Sequence, residues 1–291
     1  MSLTWTDAPA AHAAQIYVEA GELADSVAEY FAAGFEAGEP AVLVATEEHA
    51  NLIADRLDAV GWNARRIEEL GLLVNVNAEA TLGRILEGPH PSPVLFERVI
   101  GGLLDQLGAR YPGRRVRAFG EMVNVLCERG QRDVAVELEE LWNRLARTRD
   151  FTLLCGYRLD VFDRMSQVET LPDVCRLHTH VAPGPDVEKL AHAVDDALVG
   201  VLGTPGAGQV YSLVGAEIRE RRVPPSQLAL MWVSENMPLS AERILAAART
   251  RYRDAPASAT LTPAANGAAR RPVPDAWLAT LRKATRTRRL S

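Results

Sequence analysis

Three carboxylates sit where an α/β sheet would use them. Glu47 and Glu48 close AVLVATEE, directly after an apolar run, and Glu121 follows RRVRAF in a Gly-Glu-Met step. In an open α/β sheet, ligands bind in the crevice beyond the carboxyl ends of the strands. Glu47 and Glu48 could work there as a general-base pair or as ligand contacts. They could equally be first-turn acids of the following helix, where the macrodipole favours a carboxylate by about 0.3–1 kcal/mol. Glu121 is open to the same two readings; Gly120 before it would let the chain turn sharply and aim the carboxylate into the same crevice. His178 and His180 fall on one side if HTH is extended, and Cys175 is the local third ligand that a zinc site would need. Hydrogen-bonded histidines fit that spacing equally well, and the same two readings hold for His12, just before the first strand. Cys155 lies inside an apolar run, where a thiol is normally inert. Spacing defines no Ser/His/Asp or Cys/His set, so neither a catalytic residue nor a metal ligand set is assigned, and no cofactor is implied.

Triphosphate chemistry lacks its parts. Between the first strand and the following helix stands VEAGELADS, with one glycine, Gly21, and no Gly-Lys-Ser/Thr. A phosphate loop needs several glycines to expose backbone N–H groups, a lysine for the β- and γ-phosphates and a hydroxyl for Mg²⁺. Glu19 and Glu22 stand there instead and would repel a triphosphate.

The elements that must position these groups alternate. Strands are read at Gln15–Val18, Ala41–Ala45, Leu72–Val76, Arg114–Phe119 and Phe151–Tyr157, the last a continuous apolar run. Helical spacing predicts helices at 22–37, 49–60, 81–87, 94–107, 122–128 and 133–147. Strands alternating with helices over this length predict an α/β fold, a mainly parallel sheet flanked by helices. After a helix at 161–169, the passage LPDVCRLHTHVAPGPD reads as turn-rich. Helices separated by Gly or Pro then fill 187–253, a smaller helical C-terminal region. From 255 the chain is rich in Ala, Pro, Thr and Gly and reads as a disordered basic tail, with a basic amphipathic helix possible in its last stretch. The expected division is 10–180, 186–254 and 255–291.

Composition bounds the class. With 291 residues, 47% hydrophobic and 24% charged, the chain has the balance of a soluble globular protein. No apolar run approaches the roughly 18 residues needed to cross a bilayer, and the N-terminus lacks a signal-peptide pattern. A cytoplasmic protein with no membrane partner is expected. Three widely spaced cysteines (Cys127, Cys155, Cys175) make no disulfide framework. The formal net charge of −6 hides an asymmetry: from Ala255 onward seven basic residues stand against Asp275, a net of +6. That tail suits DNA or an acidic partner. Residues 226–251 have the outline of helix, short turn, helix, a DNA-reading unit or an ordinary helical hairpin.

Several of these segments together resemble a known family. HAAQIYVEAGELADSVAEYFAAGFEAGEPAVLVATEE, RVRAFGEMVNVL and FTLLCGY are similar to the MEDS domain, a sensory domain named from methanogen and methylotroph regulators. Its pattern is a His before an aromatic-ended first strand, a helix, G…GE with a strand, a GEM motif and an LLC.Y strand. Here these fall at His12, Tyr17, Gly34 with Gly38-Glu39, Gly120-Glu121-Met122, and Leu154-Cys155 with Tyr157. The same stretch also resembles KaiC/RecA-like ATPases, with Glu47 and Glu48 matching their water-activating pair and the phosphate loop gone. The resemblance implies a RecA-like sheet reused to sense a small molecule or to bind a signalling protein. Glu121, Glu47, Glu48, His12 and Tyr17 are then the candidate ligand-binding residues of a non-enzymatic regulator. Two alternatives remain: a divergent nucleotide-binding ATPase-like enzyme, and a DNA-binding transcriptional regulator acting through 226–251.

Overall fold

The computed structural model describes residues 12–184, 186–220 and 223–256. In chain order the elements are β1 (His12–Tyr17), α1 (Ala20–Ala37), β2 (Ala41–Ala45), α2 (Glu47–Ala59), α3 (Ala64–Glu69), β3 (Leu73–Asn77) and α4 (Ala78–Ile85). A small hairpin of β4 (Leu86–Glu87) and β5 (His90–Pro91) precedes α5 (Pro93–Phe96), a π-helical turn (Glu97–Gly101) and α6 (Gly102–Arg110). Next come β6 (Val116–Gly120), α7 (Met122–Glu128), α8 (Arg132–Leu145) and β7 (Phe151–Arg158). A second π-turn (Ser166–Thr170), α9 (Leu171–Leu177), β8 (His180–Ala182), α10 (Val187–Glu220), α11 (Pro225–Asn236) and α12 (Pro238–Asp254) complete them. The result is an α/β fold: a six-stranded sheet, β3-β2-β6-β7-β1-β8, flanked by helices. The registers β2–β3, β2–β6, β6–β7 and β1–β8 are all parallel. By contacts, residues 20–156 form one compact unit, and residues 12–19 with 157–256 form another.

In the unit 20–156, the central strands are the apolar runs that the sequence displays. All of β2 and the first seven residues of β7 are buried, as expected of parallel strands covered on both faces. α1 buries one stripe, including Leu23, Val27, Phe31 and Phe35. It ends at Gly38, whose φ of 81° is the left-handed geometry of a helix C-cap, and Glu39 N–H returns to Gly34 O at 2.8 Å. Gly34 itself is needed for room: a Cβ there would stand 2.4 Å from Arg117 Cδ. Arg117, on β6, donates to Glu39 Oε2 at 2.6 Å and to Tyr30 O at 2.7 Å, and its guanidinium lies 5.0 Å from the centroid of the Tyr30 ring. The G…GE pattern thus ties the end of α1 to β6. On the same unit, Cys155 of β7 is buried with Sγ 3.8 Å from Glu139 Oε2. Burial first, and Glu139 second, push that thiol well above its ordinary range, so it stays protonated as its apolar setting implied.

In the unit of 12–19 and 157–256, β1 pairs with β8, Ala13 opposite His180. α10 packs with α11 and α12. Its Val187–Gly215 stretch is long and apolar enough, by length and composition alone, to cross a membrane. Gly203, with φ 73° and ψ 165°, breaks it into two helices ahead of Pro205, the Gly/Pro separation that the sequence displays. α11 buries polar as well as apolar residues. Gln227 Nε2 donates to Gln167 Oε1 at 2.8 Å, and Gln167 Nε2 donates to Val161 O.

Some local expectations are corrected. β1 starts at His12 instead of Gln15, so His12 is part of the strand. The passage read as turn-rich holds α9 and β8, because Pro172 stands in the first turn of α9, where its missing N–H costs nothing. The helix α3 escaped notice, and the segment after Ile85 forms the β4–β5 hairpin. The tail and its amphipathic helix lie, from 257 on, outside the described residues.

Candidate functional site

Parallel pairing of β2 with β6 sets Val44 opposite Gly120, so the residues that follow, Thr46 and Glu121, leave neighbouring strand ends. Glu121 N–H extends the ladder by donating to Val44 O at 3.1 Å. The turn is made by Glu121 itself, at φ −121° and ψ 11°; Gly120 is the last residue of β6 and its φ is not positive. The glycine is therefore not what aims this carboxylate.

The Glu121 side chain is completely buried, 0% exposed. One carboxylate oxygen accepts the backbone N–H of Thr46 and the other meets Nδ1 of His49. Thr46 is the N-cap of α2, and its hydroxyl accepts His49 N–H at 3.4 Å. Glu121 thus sits at the N-terminus of a helix from the neighbouring strand. There it takes up an N–H that intrahelical bonding leaves unpaired and meets the positive end of the macrodipole. With Nδ1 against a carboxylate, the imidazole carries its proton on that nitrogen. The hydrogen bond to Glu121 is the main cause raising the His49 pKa; burial partly opposes it, and the charges of Glu121, Glu48 and Glu128 add to it.

Glu47 and Glu48 are exposed and occupy the first turn of α2. They share that turn with Thr46 and His49, so the structure brings the three sequence-nominated acids to one helix start, one buried and two facing water. His12 and Tyr17 belong to β1, in the other unit, and both are buried. The His12 carbonyl accepts Thr179 N–H at 2.8 Å, and Tyr17 O accepts Leu159 N–H at 3.1 Å. The His12 ring lies 4.2 Å from that of His178, and Tyr157 meets His178 edge-on at 5.6 Å. His178 Nδ1 donates back to Val174 O at 2.8 Å, while Cys175 Sγ approaches Met231 Sδ at 3.8 Å; within this unit His178 and Cys175 turn to different partners. In the helix pair α11–α12, Arg249 bonds to Asp160 at 2.6 Å and Arg251 to its own helix at Ala247 O.

Sequence reasoning missed His49. Its one local signal is Thr-x-x-His across a helix start, and Glu121, 72 positions away, becomes its partner only through the β2–β6 register. Chemically, the arrangement is a buried acceptor that fixes a half-buried imidazole in the first turn of α2. It can hold a proton between two strand ends, or exchange that contact for a ligand group.

Two comparisons bear on what this arrangement serves. Over 50 residues, the chain is 44% identical to a UPF0273 protein of Methanopyrus kandleri, a stretch covering 17% of this chain and 20% of that relative. The chain thus spans about a fifth of the length of the curated relative it matches. The family model for the methanogen/methylotroph, DcmR sensory domain, MEDS, matches residues 11–179. That is well over half of the chain and includes every segment that places Glu121, Thr46 and His49: the protein belongs to the MEDS sensory-domain family.

Proposed function

We propose that this protein is a non-enzymatic, cytoplasmic signal-sensing regulator. Its sensory part, 10–180, takes a small ligand or a protein partner beyond the strand ends beside Glu121, Glu47 and Glu48. The helical region 186–254 relays the state to an output partner. The observation that carries this reading is the buried Glu121 carboxylate joining the end of β6 to the first turn of α2 through Thr46 and His49. A group arriving next to Glu47 and Glu48 acts on the same helix turn. By competing for the Thr46 N–H or the imidazole, it would exchange one arrangement of α2 for another, which is what a sensor requires. Sensory-family membership supports the same role.

The test is a ligand screen read by amide and imidazole NMR on the full chain, with a nucleotide arm. The expected result is that hits perturb Thr46, His49 and Glu121 first and that millimolar ATP or ADP produces no thermal shift. Saturable Mg-ATP binding with turnover abolished by Glu47→Gln would overturn the reading in favour of an ATPase-like enzyme.

A further inference from the structure

A cavity of about 240 Å³ opens where the end of β3, α4, the π-turn and the start of α6 meet. Its apolar lining includes Val76, Val99 and Leu103, all half-exposed. Arg84 and Arg98 flank it, both exposed, and neither has a carboxylate partner among the described residues. Three of the acids that neighbour the cavity in sequence are committed elsewhere. Glu79 pairs with Arg129 at 2.8 Å, and Glu97 and Asp105 pair with Arg149 at 2.6 and 2.8 Å. The π-turn supplies Arg98 and Val99 together, and such turns recur at functional sites.

We infer that this cavity is a binding site for a small organic oxyanion. Its carboxylate or phosphate is held by Arg84 and Arg98, and its aliphatic body lies on Val76, Val99 and Leu103. The guanidinium fork matches either head group, and a mostly apolar pocket with a few polar anchors is the usual form of a small-molecule site. Scaled from the cavity of about 150 Å³ that accepts benzene, the space suits about ten non-hydrogen atoms. The site shares no residue with the Glu121 junction, and neither depends on the other.

Isothermal titration of the full chain with octanoate, hexyl phosphate, octanol and inorganic phosphate tests it. The expected result is saturable binding of octanoate or hexyl phosphate, weakened at least tenfold in Arg84→Gln and in Arg98→Gln. Whichever of the two binds more tightly identifies the head group. Gly102→Leu should abolish binding with melting temperature retained, since a Cβ at Gly102 meets nothing within 4 Å and its backbone is ordinary right-handed helix, φ −60°. Glu121→Gln should leave octanoate binding intact, which separates this site from the strand-end crevice. Absence of saturable binding by both anions overturns the inference. So does equal affinity in both arginine variants, octanol binding as tightly as octanoate, or inorganic phosphate binding as tightly as hexyl phosphate. Should an arginine variant fail to fold, Gly102→Leu and the octanol comparison still decide.

Discussion

The His49 imidazole titrates against a buried neighbour, the Glu121 carboxylate. Because hydrogen bonding to Glu121 raises the His49 pKa above its ordinary 6.5, the contact stabilises the folded state fully below about pH 6.5 and loses that contribution as pH rises through the raised value. The melting-temperature difference between wild type and His49→Gln should therefore be largest near pH 6 and shrink above it. An unchanged difference across that window would show that the imidazole charge plays no part. In Glu121→Gln the leading cause of the shift is gone while burial still disfavours the charged ring, so NMR titration should find a lower His49 pKa than in wild type. Glu121→Ala goes further. It strips the partner from Thr46 N–H and from a half-buried imidazole, and by the usual cost of losing bonds to a buried charge should destabilise by about 2–3 kcal/mol in urea unfolding. The glutamine variant, which still offers Thr46 a carbonyl, should lose clearly less.

At the scale of elements, the family-like motif divides into a part that builds and a part that offers chemistry. G…GE builds: Gly34 makes room, Gly38 turns, and Glu39 holds Arg117. Alanine is ordinarily the better helix former by about 1 kcal/mol, yet Gly34→Ala should destabilise by about 1–3 kcal/mol. Arg117 cannot simply step aside, because Glu39, Tyr30 O and the Tyr30 ring pin it. In an Arg117→Ala background the same substitution should cost much less; equal costs in the two backgrounds would show the two sites to be uncoupled. The unequal legibility of the elements has the same physical root. β2 and β7 stand out because buried parallel strands need unbroken apolar runs. β8 is three residues inside HTHVAPG, and α3, ARRIEE, buries only Ala64 and Ile67, so neither carries enough periodicity to be seen. Glu121 was readable as a strand-end acid. Its partner was not, since pairing Glu121 with His49 depends on a strand register that no local pattern encodes.

For the whole molecule, charge is the property that separates the ends of the chain. The total is −6, and 257–291 holds seven basic residues against Asp275, a net of +6, so everything before it is at −12. A surface that acidic repels polyphosphate, so any attraction to DNA must reside in those last residues unless α11 and α12 supply it. In the helix pair, Arg249 is engaged by Asp160, while Arg243 and Arg251 are exposed. The full chain should bind duplex DNA at low salt, with log K falling against log salt at a slope no steeper than about −6, the limit set by releasing roughly one counterion per neutralised phosphate for seven cations. A chain ending at 256 should lose that binding. Sequence-independent affinity that vanishes with the tail would make it a general contact for polyanions, leaving an acidic protein as an equally suitable partner. Binding that survives truncation and discriminates between sequences would instead move the output function to α11 and α12, because counterion release alone carries no base preference.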